Sequence, residues 1–151
     1  MVIGSESEIL KQVSVALLLG FGFGLVQELR GRLGAMKMYS LLTAGVSLFT
    51  ILSFVILEAF GAHYNIATWT VDPTHILQAL FVGVAIVAAG FVFKSDDLGL
   101  EAVSLFSSMI IMAGAGVAVG LEKYFLALIV MAMAILATEV ARFIEDNVLP
   151  S

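Results

Sequence analysis

The chain has 151 residues, of which 61% are hydrophobic and only 13% charged, and its mean hydropathy is +1.10. A soluble domain typically carries about 25% charged and roughly 45–50% apolar residues, so this composition excludes a soluble globule and predicts an integral membrane protein. The net charge of −5 without a basic run argues against nucleic-acid binding, and the absence of cysteine excludes disulfides and thiolate metal sites.

The chain contains five apolar segments long enough to cross a bilayer. A hydrocarbon core about 30 Å thick needs roughly 20 apolar residues in a helix, and a helix is required because an open strand would leave backbone groups unpaired in lipid. The segments are 9–29, 36–60, 74–93, 102–121 and 124–142. The predicted fold class is therefore all-α, a polytopic transmembrane helix bundle of five spans that forms a single domain over 1–151.

The N-terminus and the connections between the spans each show a recognisable sequence pattern. The N-terminal MVIGSESEIL lacks the positively charged region of a signal peptide, so the first span is expected to stay as an anchor. Asp72 and Pro73 have the pattern of an N-cap followed by the first helical residue, while Tyr64 and Trp69 suit a membrane interface. The short GLEKY stretch predicts a helical hairpin of spans four and five.

The cations near the span ends predict the orientation. With five spans, the first connection, the third connection and the C-terminus share one side. That side holds Arg30, Arg32, Lys37, Lys94 and Arg142, and the other side holds Lys11 and Lys123. We therefore expect a bacterial or archaeal cytoplasmic (inner) membrane, with the N-terminus outside and the C-terminus in the cytoplasm.

Small residues in the spans predict where helices approach each other, because lipid gives no hydrophobic drive for helix association. Pairs spaced four residues apart occur in spans one, three and four. Contact within one bundle is the main expectation, and a dimer seam or a ligand that approaches bare backbone are the alternatives. The predicted packing residues are Gly20, Gly24, Gly83, Ala85, Ala89, Gly90, Gly116 and Gly120.

Five ionisable residues form the candidate functional charged cluster: Glu28, Arg30, Arg32, Lys37 and Glu139. Ionisable groups in a membrane are expensive and indicate function by default. The cluster could bind an ion or a headgroup, or gate a path. Alternatively, Glu28 pairs with Arg32 on the helix surface, worth about 0.2–0.5 kcal/mol. Glu139 either faces the bundle and pairs with Lys94 or Lys37, or lies at an interfacial helix end.

Other polar groups predict no site. Side chains with metal-ligand character are Glu58, His63, Asp72 and His75, but the capping role of Asp72 makes a metal site the weaker interpretation. A serine in a span commonly bonds back to a carbonyl one turn earlier, which is expected for Ser104, Ser107 and Ser108, with a cavity lining as the alternative. Since no hydrolase, P-loop, dinucleotide or zinc-protease motif occurs, we predict no catalytic residue, no cofactor and no enzyme activity.

Seven short segments carry a resemblance to a known family: GLVQE at 24–28, LRGRLG at 29–34, AMKMY at 35–39, LLTAGVSLF at 41–49, DPTHI at 72–76, GVAIVAAG at 83–90 and GVAVG at 116–120. In order and spacing they resemble the MgtC/SapB family of small bacterial integral membrane proteins. Val26, Gln27 and Lys37 depart from the family pattern, which has glutamate, arginine and arginine there. The chain resembles a divergent member that consists of the transmembrane domain only, without the soluble C-terminal domain of some relatives.

The resemblance implies a non-enzymatic regulator or interaction protein linked to magnesium and ion homeostasis or stress. The alternative is a transporter or channel for an ion or small solute, working as an oligomer. Few polar groups lie within the spans, which favours regulation; they include Thr43, Ser47, Ser53 and Gln78. The expected partners are the lipid bilayer, another membrane protein and a second copy in a homo-oligomer, taken as a dimer, with no nucleic acid.

Overall fold

The computed structural model describes residues 6–63, 74–94 and 100–148, and these ranges are helical without a strand. The helices are α1 Glu6–Leu29, α2 Ala35–His63, α3 Thr74–Lys94, α4 Leu100–Gly120 and α5 Tyr124–Val148. Within these ranges, four helices (α1, α2, α4 and α5) are long and apolar enough to cross a membrane, and α3 contributes the shorter apolar stretch Thr74–Gly90. The all-α membrane bundle predicted from the sequence is confirmed.

The helices are longer than the apolar segments from which they were predicted. Polar residues extend α1 to Glu6 and α5 to Val148, because a helix can continue beyond the hydrocarbon into the interfacial region. Glu6 and Glu8 in the first turn of α1 favour its start, where the helix dipole is positive. The predicted cap at Asp72–Pro73 and the interface residues Tyr64 and Trp69 lie outside the described residues.

Helix α4 contacts all four other helices, and α1 and α4 both pack against α2. Helix α5 packs on α4 and α1, and α3 packs mainly on α4. Two polar contacts fix which ends of the helices meet. Arg30 contacts Glu139 near the end of α5, and Arg32 contacts Ser104 near the start of α4. We call this end of the bundle, around the turn 30–34, the basic end.

Glycines bring α1 directly onto the backbone of α2. A Cβ atom added to Gly20 would lie 2.4 Å from the Tyr39 carbonyl oxygen, and one added to Gly24 would lie 2.6 Å from the Met36 Cα. Real Cβ atoms cannot approach backbone this closely. The absence of a side chain at these two positions is therefore what allows α1 and α2 to meet, as small residues do between membrane helices.

Glycines of α4 approach α2 from another direction. A Cβ added to Gly116 would lie 2.6 Å from the Thr43 carbonyl oxygen, and one added to Gly120 would lie 2.8 Å from the Thr50 Cβ. These contacts lie further toward the C-terminal end of α2 than those made by α1. Helix α2 is thus held between two glycine seams, one from α1 and one from α4.

Helix α3 packs differently from the sequence prediction. Gly83 and Gly90 have open space where a Cβ would be, so the close packing predicted for them does not occur in this bundle. The buried face of α3 instead carries Val84 and Ala88, which are 7% and 1% exposed. Ala85 and Ala89 are half-buried. Each residue turns the helix by about 100°, so a shift of one position selects another face.

The α4–α5 connection is a tight turn, and the predicted helical hairpin is confirmed. The Lys123 amide donates to the Ala118 carbonyl at 2.8 Å, and the Glu122 amide donates to Val119 at 2.9 Å. This pair of bonds is the Schellman motif, in which the residue after the helix adopts a left-handed conformation. Glu122 occupies that position with φ 61°.

Candidate functional site

Glu28 lies in the last turn of α1 and reaches across to the first turn of α2. Its Oε2 atom accepts a hydrogen bond from the Met36 backbone amide at 3.1 Å. The Gly34 carbonyl accepts the first helical bond of α2, from the Met38 amide at 3.1 Å, so the capping position is a glycine without a side chain. Glu28 therefore supplies the acceptor and the negative charge that a helix start needs.

The turn before this cap depends on Gly31. Its φ of 90° lies in the left-handed region, which glycine adopts without a steric penalty. The Arg32 amide then donates to the Gln27 carbonyl at 3.3 Å and the Gly31 amide donates to Glu28 at 3.0 Å. The chain reverses within five residues, so Glu28 is brought beside the start of α2.

Arg30 joins the same turn to α5. Its guanidinium forms an ion pair with the Glu139 carboxylate and donates to the Thr138 hydroxyl at 2.9 Å. The Arg30 side chain is 13% exposed and that of Glu139 is 53% exposed. Water reaches the carboxylate, so the pair is expected to contribute about 0.2–1 kcal/mol. Its main consequence is geometric, because it holds the end of α5 against the turn.

Arg32 points toward α4 and forms part of a buried polar group. Its Nη2 atom donates to the Ser104 hydroxyl at 3.3 Å, whereas Nη1 is buried without a partner in the described part of the chain. The fully buried Tyr39 hydroxyl lies near Ser108 and Arg32 and likewise lacks a hydrogen bond of normal geometry. Unpaired buried donors are costly, so this group can hold an acceptor such as water or an oxyanion.

Lys37 lies apart from these contacts, on the outer surface of α2. It is exposed and lines an open groove of about 500 Å³ between α1 and α2. Glu28 lines the same groove. The groove thus carries one positive and one negative side chain on the outer surface of the bundle.

The five predicted residues all lie near the basic end, but they do not form a single cluster. The expected Glu28–Arg32 pair is absent, because Glu28 bonds to Met36 and Arg32 turns toward Ser104. Glu139 pairs with Arg30 and not with Lys37. The side chain of Lys94, its other expected partner, lies outside the described residues. The residues divide into a cap, an inter-helix ion pair, a buried donor group and a groove.

The serines of α4 follow the local expectation in part. The Ser107 hydroxyl donates to the Val103 carbonyl at 2.9 Å and Ser108 donates to Ser104 at 2.8 Å, which confirms the predicted bonds one turn back. The Ser104 hydroxyl accepts a bond from Arg32, which the sequence did not predict. Asp72 lies outside the described residues, so the weaker metal interpretation is untested.

The polar roles of three residues were not predicted from the sequence. Thr138 lies in an apolar run where nothing marks it as the partner of Arg30, and nothing in the sequence places the buried Tyr39 hydroxyl near Arg32. Gln12, which is only 6% exposed, donates to Glu122 Oε1 at 3.0 Å and ties α1 to the α4–α5 turn at the end opposite the basic end. A glutamine inside the first span was the available signal, since buried amides require partners.

Comparison with known proteins gives one match. The family model described as the MgtC family matches residues 13–147, nearly the whole chain. No curated protein and no solved structure matches the chain.

Proposed function

Because the chain belongs to the MgtC family, which links this membrane protein to magnesium and ion homeostasis, we propose that it is a non-enzymatic regulator. In this proposal it acts by binding another membrane protein through its helices, not by moving a solute. The observation that carries the proposal is the closed centre of the bundle. Both glycine seams press neighbouring backbones onto α2 and leave no room between the helices there.

The interior hydroxyls support the same interpretation. Thr43 donates to the Tyr39 carbonyl and Thr50 donates to the Val46 carbonyl, both at 2.8 Å. Such side chains satisfy themselves on their own helix and do not offer free groups to a passing ion. The Ser47 and Tyr39 hydroxyls are buried without a partner among the described residues, but two hydroxyls eight residues apart on α2 do not make a continuous path.

The surface available to a partner follows from the internal packing. The seam glycines, Gly20 and Gly24 of α1 and Gly116 and Gly120 of α4, are already used against α2, so they cannot receive a second helix. Helix α3 presents Gly83 and Gly90 with open space in front of them, and α5 exposes large apolar side chains along most of its length. We therefore place the partner contact on α3 and α5, and a homodimer would use the same faces.

Reconstitution into liposomes tests regulation against transport. We expect Mg²⁺ and monovalent ion fluxes no higher than in protein-free vesicles, together with co-purification of a specific membrane protein from native membranes. Gly83→Leu should abolish the co-purification of that protein. Gly45→Leu, also at a position with open space, should leave it unchanged. A flux that Glu28→Gln abolishes would instead establish the transporter hypothesis.

We further propose that the basic end lies in the cytoplasm. The cation distribution supports this side, and the contacts of Arg30 and Arg32 bring the turn 30–34, the start of α4 and the end of α5 together. The chain has no cysteine, so a single introduced cysteine can be labelled without background. In intact cells, Lys123→Cys should react with a membrane-impermeant thiol reagent and Leu33→Cys, at an exposed position of the turn 30–34, should not; the reverse pattern would invert the orientation.

A further inference from the structure

The open groove between α1 and α2 combines opposite charges with apolar walls. Its volume is about 500 Å³. The residues that line it are Phe21, Glu28, Gly34, Met36, Lys37, Ser40 and Leu41. The groove lies at the basic end, where the two helices meet the turn 30–34. A water-soluble ion would make no favourable contact with the apolar walls. The lining therefore suits a molecule with a charged head and an apolar body.

The groove extends from the helix ends into the hydrocarbon region. Phe21 lies eight residues before Leu29, the end of α1, and Leu41 lies six residues after Ala35, the start of α2. At about 1.5 Å per residue, these side chains lie roughly 12 and 9 Å below the helix ends. Both are exposed, Phe21 at 45% and Leu41 at 69%. The apolar walls therefore stand where acyl chains run, and the charges stand at headgroup depth.

The two charged side chains at the rim do not form an ion pair with each other. Glu28 gives one carboxylate oxygen to the Met36 amide, and a carboxylate can accept several further hydrogen bonds. Lys37 is exposed, and no ion pair joins it to Glu28 within the described residues. The rim thus offers a cation for a phosphate and an acceptor for an ammonium group.

We propose that this groove binds a phospholipid with a phosphoethanolamine headgroup. The lipid phosphate meets Lys37, the primary ammonium donates to Glu28, and the first acyl carbons lie between Phe21 and Leu41. A choline headgroup carries no N–H to donate to Glu28, and a glycerol headgroup leaves the negative charge of Glu28 uncompensated. The site does not depend on whether the protein regulates a partner.

Binding of three lipids to the purified full chain tests the proposal, by native mass spectrometry with phosphatidylethanolamine, phosphatidylcholine and phosphatidylglycerol of the same acyl chains. We expect phosphatidylethanolamine to bind roughly three- to tenfold more tightly than either of the others, the net value of one typical hydrogen bond. Equal binding of the ethanolamine and choline lipids, or tightest binding of the glycerol lipid, would overturn the assignment.

Two variants separate the contacts. Glu28→Gln should bring the ethanolamine-to-choline ratio close to one, while Lys37→Gln should weaken both lipids alike and keep their ratio. Lys37 is exposed, so its variant is expected to fold even if Glu28→Gln is less stable. Lys123→Gln, at the opposite end, is the control and should change nothing. A preference for ethanolamine that survives Glu28→Gln would refute the proposed contact.

Discussion

Glu28 Oε2 accepts a hydrogen bond from the Met36 backbone amide at 3.1 Å, so the last turn of α1 caps the first turn of α2. A capping side chain normally belongs to the residue that begins the helix. Here that residue is Gly34, with φ 85°, and a carboxylate from the preceding helix takes its place. The one contact couples the end of one helix, the geometry of the turn and the start of the next helix.

Loss of this cap should lower the stability of the bundle. We expect Glu28→Ala to reduce the free energy of unfolding by about 1 kcal/mol, the usual value of an N-cap. Glu28→Gln should cost less, because its amide oxygen still accepts the Met36 bond. Denaturant unfolding in detergent, followed by circular dichroism, measures both. Glu58→Ala removes an exposed carboxylate from α2 and serves as the control; an equal loss there would contradict the capping role.

Two glycines of α1 should respond to alanine in opposite ways. Gly20→Ala places a Cβ 2.4 Å from the Tyr39 carbonyl oxygen, and such overpacking typically costs 1–3 kcal/mol. Gly22 has nothing within 4 Å of its Cβ position, so Gly22→Ala should gain up to about 1 kcal/mol of helix propensity. Thermal unfolding of both variants gives the sign. Similar melting temperatures would show that α1 does not use this face against α2.

The α4 seam should show the same contrast. Gly116→Ala would lie 2.6 Å from the Thr43 carbonyl oxygen, whereas Gly114→Ala meets open space. We expect the first to destabilise the protein by about 1–3 kcal/mol and the second to be neutral or stabilising. Because both residues lie on one helix, a difference between them reports the contact with α2. Unfolding in the same detergent measures it, and a destabilised Gly114→Ala would place the seam on another face.

A thiol-specific cross-linker should join cysteines placed at positions 30 and 139. Arg30 and Glu139 form an ion pair across 109 residues of sequence, so Arg30→Cys combined with Glu139→Cys places two thiols about one arginine–glutamate pair apart in a chain without other cysteines. A short bismaleimide reagent, which bridges such a gap where a direct disulfide need not form, should produce an intramolecular cross-link, seen as a change in migration on a denaturing gel. Arg30→Cys with Glu122→Cys, whose positions lie at opposite ends of the bundle, should stay unlinked. Cross-linking of both pairs alike would contradict the arrangement.

Replacing Glu122 by glycine should stabilise the protein once its hydrogen-bond partner Gln12 has been removed. Its φ of 61° costs an L-residue about 1–2 kcal/mol, and its hydrogen bond from Gln12 offsets about 0.5–1.5 kcal/mol of that. Glu122→Gly alone should therefore change stability little. In a Gln12→Ala background the same substitution should stabilise the protein by about 1 kcal/mol. The four unfolding curves form a double-mutant cycle, and strict additivity would show that the two side chains do not interact.

The sequence by itself determined the helices and the solvent in which they fold. The bilayer sets a fixed length of apolar chain, so each span could be read from a local window of hydropathy, and the turns around Gly31 and after Gly120 follow from local residue chemistry. The family resemblance also rests on short local segments, and the family match confirms it. None of these properties requires knowledge of which helices are neighbours.

Only the tertiary structure decided which contacts each of several similar residues makes. Gly20 and Gly22 read alike in one apolar run, yet one meets the backbone of α2 and the other meets open space. Likewise Glu28 caps a helix and Glu139 meets an arginine from the other end of the chain. The physical reason is that close packing and hydrogen bonding act over a few ångströms, so they depend on helix rotation and on partners distant in sequence, which no local window contains.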